Sequence, residues 1–457
     1  MNECAIILLG ATGDLSKRKL FPALYQLFLQ NKLDKFAIIG AALEAMSNAE
    51  FVEYIKKYAQ PKDSNSWNEF VSRIVYIPLN FTQPKDFDLL RDAIVQQEKK
   101  FGLSGNRLIY CATAAYFYCT ITKGVADSGI ATRDENVRIV YEKPFGNDLD
   151  SAREINACIA QYFDESQIFR IDHYLSKELV SNIALVRFTN IIFEPLWNNR
   201  YIDQVHIIFD EKICLEGRGQ FFDKYGAMAD VMQNHMMQML ALIAMEAPAK
   251  LSGDYIRSER AKVLQHVQIV DTLLGQYEGY QNEEGVKPHS STETFAQVYL
   301  EIKNPRWAGV PFYLRTGKCL NKKESAIYIK FKKIDCLLAT CPSESNALAF
   351  HISPDSLFSL TLNTKKLGIS DEVMPVKMQF CHGESADSPQ AYELLFEEIL
   401  RGEQAMSVRF DEIEHAWNII QEIRDLTPPL YTYQKGSSGP QEAESFDRKH
   451  GIKWGRS

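Results

Sequence analysis

The first forty residues constrain the fold most. A short apolar run at 5–9 leads straight into Gly10-Ala11-Thr12-Gly13-Asp14-Leu15. A helical pattern (KRKLFPALYQLFLQ) follows, then a second apolar run at 36–39 closed by Gly40. An apolar run without alternation is what a strand buried on both faces requires. Strand, helix and strand in this length form a β-α-β unit, in which the crossover helix makes the two strands parallel. Further apolar runs at 74–77, 107–111 and 137–141, separated by helical stretches, predict a doubly wound parallel sheet.

The turn after the first strand carries chemistry. Glycines such as Gly10 and Gly13 let the backbone approach a pyrophosphate, and the helix start offers unpaired N–H groups to it. The GxxG spacing also serves an ordinary strand-to-helix turn, but a strand before it and a helix after it favour nucleotide binding. In such a fold the end of the second strand meets the adenine ribose, where an acidic residue favours NAD and an Arg favours NADP. Leu43 is neither. Glu44 next to it reaches a ribose hydroxyl or is a solvated carboxylate.

The pattern changes near residue 175. This divides the chain into a dinucleotide-binding domain at 1–175 and an α+β domain at 176–457 for substrate binding and oligomerisation. A helical stretch at 177–188 leads into strands at 204–209, 294–302, 312–317, 326–332, 348–353 and 359–364, with few helices between. A large, mainly antiparallel sheet is expected there. The stretch 227–245 (AMADVMQNHMMQMLALIAM) is apolar nearly all round, as a buried helix is. The segment YTYQKGSSGPQEAE reads as a loop.

The 457 residues carry a net charge of −8, which disfavours nucleic acid as a partner without excluding a local basic pocket. No apolar run approaches the roughly 20 residues that span a bilayer. The start of the chain lacks a basic segment, so neither a membrane anchor nor a signal peptide is expected, and the expected location is cytoplasmic. Nine scattered cysteines, with no CxxC pair and only Cys336 and Cys341 close together late in the chain, are expected as buried free thiols.

Four further stretches concentrate functional groups. Glu142-Lys143-Pro144-Phe145-Gly146 puts a Lys at the end of a parallel strand, facing the ligand crevice, with a Pro suited to a cis bond. Arg170 to Glu178 packs Asp172, His173, Tyr174 and Lys177 together, donors that can surround a phosphate dianion. Its alternative is a polar helix entry capped by Ser176. In ADVMQNHMMQ, Asp230 and His235 offer a general base near neutral pH, or His235 is a core histidine among methionines. Arg315-Thr316-Gly317-Lys318, with Lys323, anchors an anion or is solvated charge.

Taken together, these stretches resemble the glucose-6-phosphate dehydrogenase family nearly end to end. The match includes GATGDLSKRKL, EKPFG, RIDHYLSKE, FEPLWN, EGRGQFFDKYGAMADVMQNH, AMEAP, RWAGVPFYLRTGK and YQKGSSGP. The resemblance implies oxidation of C1 of glucose 6-phosphate to the δ-lactone, with hydride passing to NADP or NAD and no metal. It implies His235 as the base taking the C1 hydroxyl proton and Asp172 as its partner. It assigns the phosphate to His173, Tyr174, Lys177 and Lys323, and the sugar hydroxyls to Glu211, Asp230 and Lys318. Lys143 would lie between sugar and nicotinamide, with Lys19 near that junction. Gly10, Thr12, Gly13, Asp14, Leu15 and Leu43 would complete the cofactor side. A homodimer or homotetramer, formed through the large sheet, is implied as well.

Three departures from the family pattern stand out. Ser176 replaces a usual Gly and Ala115 a usual Pro. Leu43 stands where NADP-using members carry Arg, which points to a weak NADP preference and useful activity with NAD, while Thr12 and nearby side chains could still hold a 2′-phosphate. Two other readings compete. A sugar oxidoreductase of the glucose-fructose oxidoreductase type also carries an EKP stretch but leaves RIDHYL and DVMQNH unexplained. A non-catalytic sugar-phosphate sensor would not need His235, Asp172 and Lys177 together.

Overall fold

In the computed structural model, which describes residues 3–133, 136–334, 345–368, 372–381 and 391–455, the opening run becomes strand β1 (Cys4–Leu9). Its side chains alternate between two cores. Ile6 and Leu8 face one, while Ala5, Ile7 and Leu9 face the other. Burial on both faces explains the lack of alternation in the sequence. β2 (Phe36–Ala42), β3 (Ile74–Pro78), β4 (Arg107–Cys111), β5 (Val137–Glu142) and β6 (Ile168–Ile171) join it in a parallel sheet of order β3-β2-β1-β4-β5-β6. The helix Asn48–Ala59 starts from a capping box in which Ser47 and Glu50 bond each other's backbone.

The second sheet has nine strands: β7 (Ile202–Asp210), β8 (Val267–Tyr277), β9 (Phe295–Ile302), β10 (Pro311–Gly317), β11 (Glu324–Phe331), β12 (Ala347–Ser353), β13 (Leu357–Lys365), β14 (Val373–Cys381) and β15 (Leu430–Tyr433). Their order is β14-β13-β12-β11-β7-β10-β9-β8-β15. Neighbours are antiparallel except β7 with β10 and β8 with β15. The expected fold class, a parallel dinucleotide-binding sheet plus an α+β part with a large antiparallel sheet, is thus the observed one.

The chain forms two compact units. One comprises Met1–Ser176, Lys250–Arg257 and Ser388–Phe410, and the other Lys177–Ala249, Ser258–Asp387 and Asp411–Ser457. Two stretches from beyond residue 175 therefore build the first unit. Phe396 packs its ring on Tyr110, and the Arg170 N–H donates to the Ser407 hydroxyl at 2.9 Å.

Several local expectations need correcting. β6, β8, β14 and β15 are strands that periodicity did not reveal: β6 and β15 are short, β8 mixes exposed and buried positions, and β14 is exposed along nearly its whole described length. The expected loop YTYQKGSSGPQEAE begins inside β15 and ends in the helix Glu442–His450. Cys119–Cys158 and Cys214–Cys319 are disulfides rather than free thiols, while Cys4 and Cys111 are free and buried. The pairs join cysteines 39 and 105 residues apart, separations that spacing rules cannot match. Cys336 and Cys341 lie outside the described residues. No described helix is long and apolar enough to cross a membrane.

Candidate active site

In the first unit, the sheet order reverses at β1, whose neighbours are β2 and β4. A crevice opens at the carboxyl ends where such a reversal occurs. Gly10 follows β1 there with φ of 87°, and a Cβ on it would lie 2.4 Å from the Ala112 carbonyl oxygen after β4. Only glycine lets the turn pass this close to the chain after β4. The Gly10 and Ala11 N–H groups donate to the Ala41 carbonyl at 2.8 and 3.1 Å, tying the turn to the end of β2. The turn runs into a π-wound segment, Ser16–Leu20, and then the helix Phe21–Leu29. This cradle fits a dinucleotide.

Thr12 donates its hydroxyl to the Glu44 carboxylate at 2.6 Å. Asp14 is exposed and turned toward its own helix, 3.0 Å from Lys17 and 3.1 Å from Arg18, which hold its carboxyl below its ordinary value. Leu15 is half-buried, Lys19 is exposed, and Leu43 is 68% exposed.

At the end of β5, Lys143 is half-buried and its bond to Pro144 is cis, as its sequence suited. The preceding Glu142 is fully enclosed. Its carboxylate accepts from the Tyr110 hydroxyl, and its carbonyl from the Tyr118 hydroxyl. Burial pushes the Glu142 carboxyl up to about 7. Tyr110 pulls it down by hydrogen bonding, and the Asp172 charge pushes it further up. Sequence reading passed over Glu142, although a carboxylate ending a buried parallel strand is itself a signal.

Asp172 follows β6 and is buried. Its Oδ1 accepts the Tyr174 N–H at 3.0 Å, turning the chain so that the His173 and Tyr174 rings pack 5.0 Å apart. Ser176 is not the helix cap. Lys177 takes that position before the helix Glu178–Thr189, and Ser176 is buried without a positive φ. The usual Gly at this position is thus not replaced at a conformational cost.

In the second unit, parallel pairing of β7 and β10 sets Asp210 opposite Gly317, so Glu211 and Lys318 leave the sheet side by side. The Lys318 ammonium is 4% exposed. It donates to the Glu211 carboxylate, lies 3.8 Å from Asp230 and sits 5.1 Å over the Phe222 ring. Three residues named from different parts of the sequence thus meet. Beneath them Arg315 pairs with Asp210 at 2.5 Å, both buried; burial still holds the Asp210 carboxyl above its ordinary value. Lys323 is exposed, and Lys177 is half-buried at its helix start.

His235 lies in the stretch expected as one long helix. Gly226 instead breaks the chain with φ of 70°, Met228–Met236 winds as a π-helix, and Met237–Ala244 continues as an α-helix. A Cβ at Gly226 would meet the Glu293 carboxylate at 2.3 Å, and that carboxylate accepts the Met228 N–H at 2.9 Å. A π-turn leaves carbonyls misaligned. The Asn234 side chain takes up two of them, donating to the Ala229 and Asp230 carbonyls at 3.1 and 3.0 Å while its oxygen accepts the His235 N–H at 2.7 Å. His235 is buried, its ring parallel to Phe209 at 6.5 Å. Apolar periodicity cannot distinguish this winding from an α-helix.

Comparison with known proteins covers both units. The model of the glucose-6-phosphate dehydrogenase NAD binding domain matches residues 7–182, and that of the C-terminal domain matches 184–455. A glucose-6-phosphate 1-dehydrogenase of Bacillus subtilis (strain 168) is 37% identical over 99% of this chain and 98% of its own length. Two solved structures cover 100% of this chain and 99% of their own. One, a glucose-6-phosphate dehydrogenase in complex with its substrate glucose-6-phosphate, has a TM-score of 0.92 at 32% identity. The other, a glucose-6-phosphate 1-dehydrogenase from Mycobacterium avium, has 0.87 at 30%. With a strand-order crevice in one unit, a lysine–carboxylate cluster in the other, and matches spanning both, this chain belongs to the glucose-6-phosphate dehydrogenase family.

Proposed function

We propose that the protein is an NAD(P)-dependent glucose-6-phosphate 1-dehydrogenase, acting in the cytoplasm at the first step of the oxidative pentose phosphate pathway. The observation that carries this reading is family membership along the whole chain. Gly10, Thr12, Gly13, Asp14, Leu15, Lys19, Leu43 and Lys143 would hold the dinucleotide, which when bound accepts the hydride from C1. His173, Tyr174, Lys177 and Lys323 bind the phosphate, and Glu211, Asp230 and Lys318 the sugar hydroxyls. The paired charges around Lys318 support that second assignment.

His235 takes the proton of the C1 hydroxyl as the C1–H bond gives up its electron pair, and Asp172 stabilises the imidazolium that forms. Hydride loss leaves a C1=O bond and hence the lactone, so no other acid or base is needed for balance. A neutral imidazole suits this step near neutral pH.

Leu43 supplies no guanidinium for a 2′-phosphate, and such a pair is worth roughly ten- to hundredfold in affinity. NAD is therefore the favoured cofactor and NADP the poorer one. Self-association into a dimer or tetramer uses the second sheet. Met374, Val376, Met378 and Phe380 alternate along edge strand β14 on one face and are all exposed, with Phe380 stacked on Phe358 of β13 at 4.7 Å. An exposed apolar stripe on an edge strand is a pairing surface.

The test is reduced-nicotinamide absorbance on mixing with glucose 6-phosphate and either cofactor. A signal is expected with NAD; none with either cofactor would point to a sensor. His235→Asn should bind glucose 6-phosphate while kcat falls by about 10²–10⁴-fold. An unchanged kcat would refute His235 as the base.

A further inference from the structure

We propose that Glu44 selects the adenosine ribose of the dinucleotide, its carboxylate taking the 2′-hydroxyl of NAD and opposing the 2′-phosphate of NADP. This rests on the dinucleotide reading of the first unit and adds a residue that discriminates by repulsion, where Leu43 offers only a missing attraction.

Glu44 is held in place from three directions. The turn after β1 is tied to the end of β2 through the Ala41 carbonyl. The hydroxyl of buried Tyr76 donates to the Glu44 carbonyl at 2.6 Å and lies 3.3 Å from that of Ala42, and its ring stacks on Phe51 at 4.4 Å. The Thr12 hydroxyl donates to the Glu44 carboxylate at 2.6 Å, and the Tyr54 hydroxyl donates to the Thr12 carbonyl at 2.7 Å. The carboxylate is therefore a fixed, exposed acceptor beside the ligand turn, at the strand end where a ribose is read.

This geometry works against a 2′-phosphate twice. The Thr12 hydroxyl, a natural phosphate donor, is already given to Glu44. A phosphate dianion set beside a fixed carboxylate is also repelled, whereas a ribose hydroxyl donates to it. The nearby cations do not reverse the sign. Lys17 lies over the Tyr54 and Tyr58 rings and Arg18 over Tyr58, and both pair with Asp14.

The test measures dissociation constants by calorimetry for NAD, NADP, AMP and adenosine 2′,5′-bisphosphate. The proteins are the full-length chain, Glu44→Gln, Leu43→Arg and the double variant. Because Glu44 is exposed, its variants should fold normally. The native chain should prefer NAD, and AMP over the bisphosphate. Glu44→Gln should weaken NAD about threefold or more and tighten NADP about tenfold, since a neutral amide removes the repulsion and holds Thr12 only through an uncharged acceptor. Leu43→Arg alone should move the NAD-to-NADP ratio by less than about threefold, because the new guanidinium pairs with Glu44; the double variant should exceed the product of the single effects. Equal changes for both cofactors in Glu44→Gln, or full conversion by Leu43→Arg alone, would overturn the proposal. A chain that binds no dinucleotide in any form fails differently, and removes the underlying reading as well.

Discussion

The turn after β1 and the cluster at the ends of β7 and β10, the two proposed ligand regions, are built by opposite means. The turn uses backbone: Gly10 passes close to the Ala112 carbonyl at a positive φ, and of the turn's side chains only Asp14 is exposed. The cluster uses side chains: a buried ammonium is matched to two carboxylates, above a second buried pair, Asp210 with Arg315. Removing a side chain from the turn leaves water to fill in. Removing the buried Lys318 ammonium leaves half-buried Asp230 and the more exposed Glu211 without their cation, which is costly. Damage at the cluster should therefore be larger and should fall on the sugar phosphate alone.

Lys318→Met makes the largest break. It strands Glu211 and Asp230, so kcat/KM for glucose 6-phosphate should fall by about 10²–10³-fold, consistent with the roughly 2–5 kcal/mol of truncating one partner of a buried charge pair. The dissociation constant for NAD should stay within about twofold, which also shows that the variant is folded. Loss of NAD affinity would mean that the two regions do not act separately. Gly10→Ala is the reverse. Its Cβ meets the Ala112 carbonyl, and alanine at φ of 87° is strained. NAD affinity should weaken by roughly ten- to hundredfold while sugar-phosphate affinity holds, given a strain of about 1–3 kcal/mol. An unchanged NAD constant would mean that the turn does not receive the pyrophosphate.

The same contrast explains what could be read from the sequence. The turn is local: Gly10 to Leu15 follow one strand and open one helical segment, so the role proposed for them could be read from six consecutive residues. The parallel sheet was visible too, because burial on both faces writes itself as unbroken apolar runs. The cluster is not local. Glu211 and Lys318 meet only because β7 pairs with β10 in parallel, a register that no nearby residue encodes. The family resemblance named Glu211, Asp230 and Lys318; the local sequence left Lys318 open between an anion anchor and solvated charge. The disulfides, the π-winding before His235 and the Thr12–Glu44 bond likewise depend on partners distant in the chain or on a winding that shares the apolar pattern of an α-helix. Of these, only Glu44 left a trace, as an acidic residue at a strand end.

Glu142 is the smallest test, and it bears on stability rather than turnover. It belongs to the first unit yet behaves like the cluster, as a buried carboxyl held by the Tyr110 hydroxyl, with Tyr118 on its backbone carbonyl. Burial raises its folded-state value from 4.5 to about 7. The folded chain therefore holds this proton more tightly than the unfolded chain. Its contribution is fully present below about pH 4.5 and is lost as pH rises through about 7. At about 1.4 kcal/mol for each pH unit separating folded and unfolded values, the loss is at most roughly 3 kcal/mol across that window. In Glu142→Gln the amide carries no proton to lose, so this decline should vanish and the variant should gain on the native chain between about pH 5 and pH 8 in urea-unfolding midpoints. Equal pH dependence in the two proteins would place Glu142 outside the stability balance.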